Sequence, residues 1–74
     1  MPNIAPTISQ ITVNGTPWPL ANMASLHDLV TTLALDIRKV AIEHNGAIIP
    51  RSAYHSTVLT AGDRIEIVGF VGGG

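Results

Sequence analysis

The 74 residues predict an α+β domain in which one main helix packs on one face of a mixed sheet of about four or five strands. Three observations carry that expectation. Two Asn-Gly steps, Asn14-Gly15 and Asn45-Gly46, each follow a segment of alternating polarity, which is the strongest short hairpin signal. One stretch only has helical periodicity, with Leu26, Leu29, Val30 and Leu33 spaced i, i+3, i+4, i+7. A last alternating segment, 64–70, follows the Gly62-Asp63 turn. One helix covers one sheet face, so the other face is left open for a partner.

The elements follow in order. Residues 1–7 hold two of the five prolines and no periodicity, and are expected to be a flexible leader before a domain spanning 8–71. From Ile8, ISQITV puts Ile11 and Val13 on one face and Gln10 and Thr12 on the other. The returning segment 16–20 holds Pro17 and Pro19 around Trp18, and because proline cannot donate to a ladder, this strand belongs at a sheet edge. Ser25 stands before the helical stripe as its cap, with Asp28 three residues on to complete a capping box. His27, Thr31 and Thr32 form the polar side. After Asp36 the period becomes two: Val40, Ile42 and His44 on one face, Ala41 and Glu43 on the other. Residues 47–49 return as a short strand that Pro50 stops. Residues 51–61 read as an irregular loop with Tyr54, Val58 and Leu59 tucked inward. In the last strand Ile65 and Ile67 share one face, and Arg64, Glu66, Val68 and Phe70 the other.

Composition narrows the function. With 46% hydrophobic and 12% charged residues and a net charge of -1, the chain is too apolar for disorder. A domain of this size buries only about 60% of the surface its unfolded chain exposes, which disfavours a substrate-enclosing cleft and hence an enzyme. Four Lys plus Arg against five Asp plus Glu make no basic stripe for nucleic acid. The absence of cysteine excludes disulfides, thiolate metal sites and a cysteine nucleophile. Apolar runs fall far short of the roughly 20 residues of a membrane helix, the opening MPNIAPT has no positive n-region, and the expected compartment is the cytoplasm.

The stretches ITVNG (11–15), RKVAIEHNGAIIPR (38–51), GDRIEIV (62–68) and the terminal Gly72-Gly73-Gly74 resemble the β-grasp proteins related to ubiquitin. The second half resembles more specifically the ThiS family of thiamine-biosynthesis sulfur carriers, and the likeness covers 11–74. It implies a ubiquitin-like β-grasp fold and a protein co-substrate. The departures are the leader, Trp18 between its prolines, and His44, where alternation favours an apolar residue.

In such a family the end of the chain carries the chemistry. A carboxylate is a poor electrophile, since its charge repels nucleophiles and oxide is a hopeless leaving group; joining it to AMP cures both. The resemblance implies that an E1-like adenylating enzyme of the ThiF type, using ATP and Mg²⁺, activates the Gly74 carboxylate. Sulfur from a donor such as a cysteine desulfurase then gives a thiocarboxylate, which a thiazole synthase of the ThiG type consumes. Gly72 and Gly73 suit threading through a narrow channel, because glycine allows close backbone approach, and three residues beyond Val71 reach about 10 Å. Val68, Phe70, Val71 and Arg64 precede that tail and are the candidate docking residues. Two other readings remain: the small subunit of a molybdopterin synthase, with the same thiocarboxylate chemistry, and a ubiquitin-like protein modifier joined through Gly74 to a lysine.

The remaining polar residues carry less. His27, His44 and His55 show no ligand spacing such as i, i+4, so no metal and no bound cofactor is expected. Trp18 is expected at the core's rim, with an interface anchor as the alternative. Arg51 joins Arg64 as a cation able to meet acidic groups on a partner. Asp63 is expected to serve the backbone of its turn.

Overall fold

The computed structural model describes residues 9–69; the leader, Ile8 and residues 70–74 lie outside the described residues. The elements run β1 (Gln10–Val13), β2 (Thr16–Pro19), α1 (Leu26–Thr32), β3 (Val40–His44), β4 (Ala47–Ile49) and β5 (Arg64–Gly69), with 3₁₀ turns at Ile37–Lys39 and Arg51–Ala53. The strands form one sheet in the order β2-β1-β5-β3-β4. β5 pairs parallel to β1 and antiparallel to β3, so the last strand in sequence is the middle strand in space.

Both Asn-Gly steps form the expected hairpins. Asn14 and Asn45 take φ of 49° and 52°, and Gly15 and Gly46 follow at 83° and 91°, the left-handed pair that a two-residue type I′ turn needs. β1 faces β2 through Val13↔Thr16, and β3 faces β4 through His44↔Ala47. β2 lies at the edge that Pro17 and Pro19 require. Trp18 stands opposite Ile11 in that hairpin and packs half-buried against the core, which places it at the rim.

α1 begins on a complete capping box. Ser25 Oγ accepts from the Asp28 N–H at 3.3 Å, and Asp28 Oδ2 accepts from the N–H groups of Ser25 and Ala24 at 3.0 and 2.7 Å. These acceptors satisfy N–H groups at the helix start, and the bonds, led by those from the Ala24 and Ser25 backbone, hold the Asp28 carboxyl below the usual range. The helix stops without glycine. Ala34 adopts φ 56°, and its N–H donates to Thr31 O while the Leu35 N–H donates to Val30 O, the bonding pattern of a Schellman motif.

Ile11 and Val13 of β1, Leu26, Leu29 and Val30 of α1, Ile42 of β3, Ile65 of β5, and Tyr54 and Leu59 of the long connection form the buried core. Val58 does not join them: it is 66% exposed. The connection is extended there, bridged to the helix entry by Leu26 N–H to Thr57 O and Leu59 N–H to Ala24 O. Successive side chains on extended backbone point to opposite sides, so burying Leu59 turns Val58 outward.

His44 has a reason to stand at a core-facing register. Its Nε2 lies 2.7 Å from Asp63 Oδ2, with both side chains largely covered. Asp63 also accepts from Asn45 Nδ2 at 3.1 Å and from the Thr60 N–H at 2.9 Å. Burial pushes the Asp63 carboxyl up, but the bonds from His44, Asn45 and Thr60 outweigh it and hold the carboxyl below its ordinary value. Asp63 thus serves its own turn, as expected, and also ties that turn to the end of β3.

Candidate functional site

The side of the sheet away from α1 carries the candidate docking residues. Because alternate residues share a face, register alone assembles this surface. β5 contributes Arg64, Glu66 and Val68; β1 places Thr12 beside Arg64; β3 places Glu43 opposite Glu66 and Ala41 opposite Val68; β4 places Ile48 opposite Glu43. Ile48 is 72% and Val68 57% exposed. Arg64 and Val68 therefore share the face the sequence assigns them, on the strand that leads into the tail. Gly72, Gly73 and Gly74, together with Phe70 and Val71, lie outside the described residues. Arg51 is exposed on the 3₁₀ turn after β4.

Glu43 and Ile48 are additions to the face on which the sequence already places Glu66. The Asn45-Gly46 step fixes the β3–β4 register, so the facing of Glu43 and Ile48 was readable from the sequence. The facing of Glu43 and Glu66 was not, because it depends on β3 pairing with a strand some 20 residues away. Two carboxylates directly opposite each other repel and destabilise a sheet. Their neighbours on the face are the exposed Ile48 and Val68, so the patch is apolar with an acidic centre and one cation, Arg64, at its end.

The histidines do not form a metal centre. Among the described residues no three His, Cys, Asp or Glu side chains gather as ligands. His27 and His55 stack with ring centroids 3.7 Å apart, a contact between α1 and the long connection that no sequence spacing announces, and His44 is engaged by Asp63. No pocket opens among the described residues, and none of their helices is long and apolar enough to cross a membrane. Chemically this surface offers exposed apolar side chains beside two carboxylates and a guanidinium, around the central strand that runs to Gly69.

Comparison with known proteins assigns that arrangement to a family. The ThiS family model matches residues 11–74. The crystal structure of the thiamine biosynthesis protein ThiS from Geobacter metallireducens superposes with a TM-score of 0.73 at 32% identity, covering 88% of this chain and 99% of that one. The sulfur carrier protein ThiS of Bacillus subtilis is 42% identical over 50 residues, 68% of this chain and 76% of its own length. A thiazole synthase of Paramagnetospirillum magneticum is 37% identical over 65 residues, and there the match covers 88% of this chain but only 20% of the relative. The chain thus spans about a fifth of that enzyme's length. With a five-stranded mixed sheet on one helix, and with the family match running from β1 to the terminal glycines, the chain belongs to the ThiS family: it is a ubiquitin-like β-grasp sulfur carrier of thiamine biosynthesis.

Proposed function

We propose that the chain carries sulfur to the thiazole ring of thiamine as a thiocarboxylate on Gly74, in the cytoplasm. The observation that carries this reading is the family match, which spans residues 11–74 and so includes Gly74. A chain with no cysteine has no thiol to hold sulfur, and the terminal carboxylate is the group that activation can convert.

The carboxylate oxygen of Gly74 attacks the α-phosphorus of ATP, held with Mg²⁺ in an E1-like, ThiF-type enzyme, and pyrophosphate leaves. The acyl carbon then has a good leaving group. A sulfur nucleophile supplied by a donor such as a cysteine desulfurase adds to that carbon and expels AMP; where the nucleophile is a persulfide, a thiol then cleaves the remaining S–S bond. ATP and Mg²⁺ belong to the activating enzyme, and this chain supplies the docking strip of Arg64, Val68, Phe70 and Val71 and the threading residues Gly72 and Gly73.

A ThiG-type thiazole synthase is the proposed acceptor. In the Paramagnetospirillum relative, and in a thiazole synthase of Magnetococcus marinus that is 38% identical over 65 residues, the matching segment is part of the same polypeptide as the synthase. Such a linkage raises the effective concentration of carrier and acceptor, which supports a direct encounter between them when they are separate chains.

Incubation with ATP, Mg²⁺, a ThiF-type enzyme and a sulfur donor is expected to add the mass of one sulfur-for-oxygen exchange at Gly74. Omitting ATP is expected to abolish the gain, and deleting Gly74 to abolish it with the fold intact. Undiminished thiazole formation by the truncated chain overturns the proposal. Transfer to a molybdopterin precursor instead of the thiazole synthase transfers the chain to the other pathway.

A further inference from the structure

The two Asn-Gly turns also grip the central strand, at opposite ends. Asn45 acts at the start of β5: its Oδ1 accepts the Arg64 N–H at 2.8 Å. Asn14 acts near the far end. The Ile67 N–H donates to Asn14 Oδ1 at 2.7 Å, and Asn14 Nδ2 donates to Ile67 O at 3.2 Å. A carboxamide has the donor and acceptor of a peptide group, so this side chain extends β1 beyond its last main-chain pair.

That extension falls where the backbone gives out. β1 pairs with β5 through Thr12↔Arg64 and Val13↔Ile65, and the Asn14 N–H donates to Ile65 O at 2.9 Å. Past Ile65 it is the Asn14 side chain that reaches β5 from this turn. On the other flank β3 continues alongside, from Ile42↔Ile67 to Val40↔Gly69. Two residues after the Asn14 grip comes Gly69, and five residues further the chain reaches Gly74.

We propose that Asn14 is a positioning residue for the tail: by bracketing Ile67 it fixes the direction in which the chain leaves the sheet's centre toward Gly74. The proposal rests on the reading of Gly74 as the sulfur-bearing end. Residues 70–74 follow directly on Gly69, so the segment from Ile67 to Gly69 is the root of the tail. Held by β3 and Asn14 together, Ile67 is fixed on both flanks; without the carboxamide it is held on one. A reacting group displaced by about 1 Å can lose on the order of 10²-fold in rate.

Asn14→Gly tests this, with Asn45→Gly as a matched control. Glycine adopts the positive φ of both positions without strain, so each variant keeps its turn; Asn14→Gly loses the two bonds to Ile67, and Asn45→Gly loses the bonds to Arg64 and Asp63. In Asn14→Gly the Ile67 amide is expected to exchange about tenfold faster and the order parameter of Gly69 to fall. Sulfur loading at equal folded fraction is expected to slow about tenfold through KM for the activating enzyme, whereas Asn45→Gly stays within about twofold of the parent. Equal loading defects in the two variants, or none in Asn14→Gly, overturn the positioning role. If the parent chain itself takes up no sulfur, the reading of Gly74 falls instead. The amide data then decide the grip alone, and unchanged Ile67 exchange and Gly69 order in Asn14→Gly overturn it.

Discussion

On the helix side of the sheet, Ile11, Ile42 and Ile65 are at most 1% exposed; on the other side, Ile48 and Val68 are 72% and 57% exposed. The same strands build both faces. Isoleucine under α1 is removed from water and stabilises the fold, at about 25 cal/mol for each Å² buried, whereas an isoleucine or valine on the open side contributes little to folding. The open face also holds Glu43 directly opposite Glu66, an arrangement that a face selected for stability alone would avoid. The difference teaches which substitutions report on folding: those on the helix side, where burial is complete, far more than those on the open side.

The largest way to break this contrast is in the core. Leu29 is fully buried on α1, and Leu29→Ala is expected to cost about 2–5 kcal/mol in denaturant unfolding. A cost below about 1 kcal/mol means that α1 does not organise the sheet as described.

Acid is expected to weaken the fold next. The folded carboxyls of Asp28 and Asp63 lie below the ordinary aspartate value, and the Arg38 side-chain and backbone bonds bring Asp36 to about 2. A depressed folded pKa gives stability that is present above the unfolded value and is lost as pH falls through the folded one. Thermal midpoints measured downward from about pH 5 should therefore hold until about 4 and then decline, with the contribution of Asp36 persisting to about 2. Asn substitution at Asp28 and at Asp63 should flatten that decline, and an unchanged profile in both variants counts against these bonds.

A smaller effect of opposite sign is expected at Ala34. Its φ of 56° is a left-handed conformation that glycine adopts without a Cβ clash, so Ala34→Gly is expected to stabilise by up to about 1 kcal/mol after the entropy of the unfolded chain is deducted. Destabilisation indicates that the Ala34 methyl packs more than it strains.

The open face gives the smallest stability effects and so sharpens the contrast. Glu66→Gln relieves a like-charge pair and is expected to stabilise by about 0.2–1 kcal/mol, less at high salt. Val68→Thr keeps the β-branched shape and is expected to change stability by less than about 0.5 kcal/mol while weakening binding to the activating enzyme severalfold. If instead the midpoint of Val68→Thr drops while binding holds, the face is structural and the docking assignment is wrong.

The sequence by itself determined what depends on near neighbours: both hairpins, because Asn-Gly supplies the two positive φ angles; the helix, because its stripe and the Ser25–Asp28 box lie within one segment; and the edge position of β2, because proline lacks a donor. Tertiary structure decided what depends on distant pairing. It placed β5 between β1 and β3, set Glu66 against Glu43, gave His44 its partner Asp63, and turned Val58 outward once Leu59 was buried. Helix termination at Ala34 belongs with these, since an alanine accepts a left-handed conformation only where the Leu35 and Ala34 N–H groups find their carbonyls. Alternation says which residues share a face, but only the folded chain says which strand lies beside which, because that pairing is won by burial summed over the whole core.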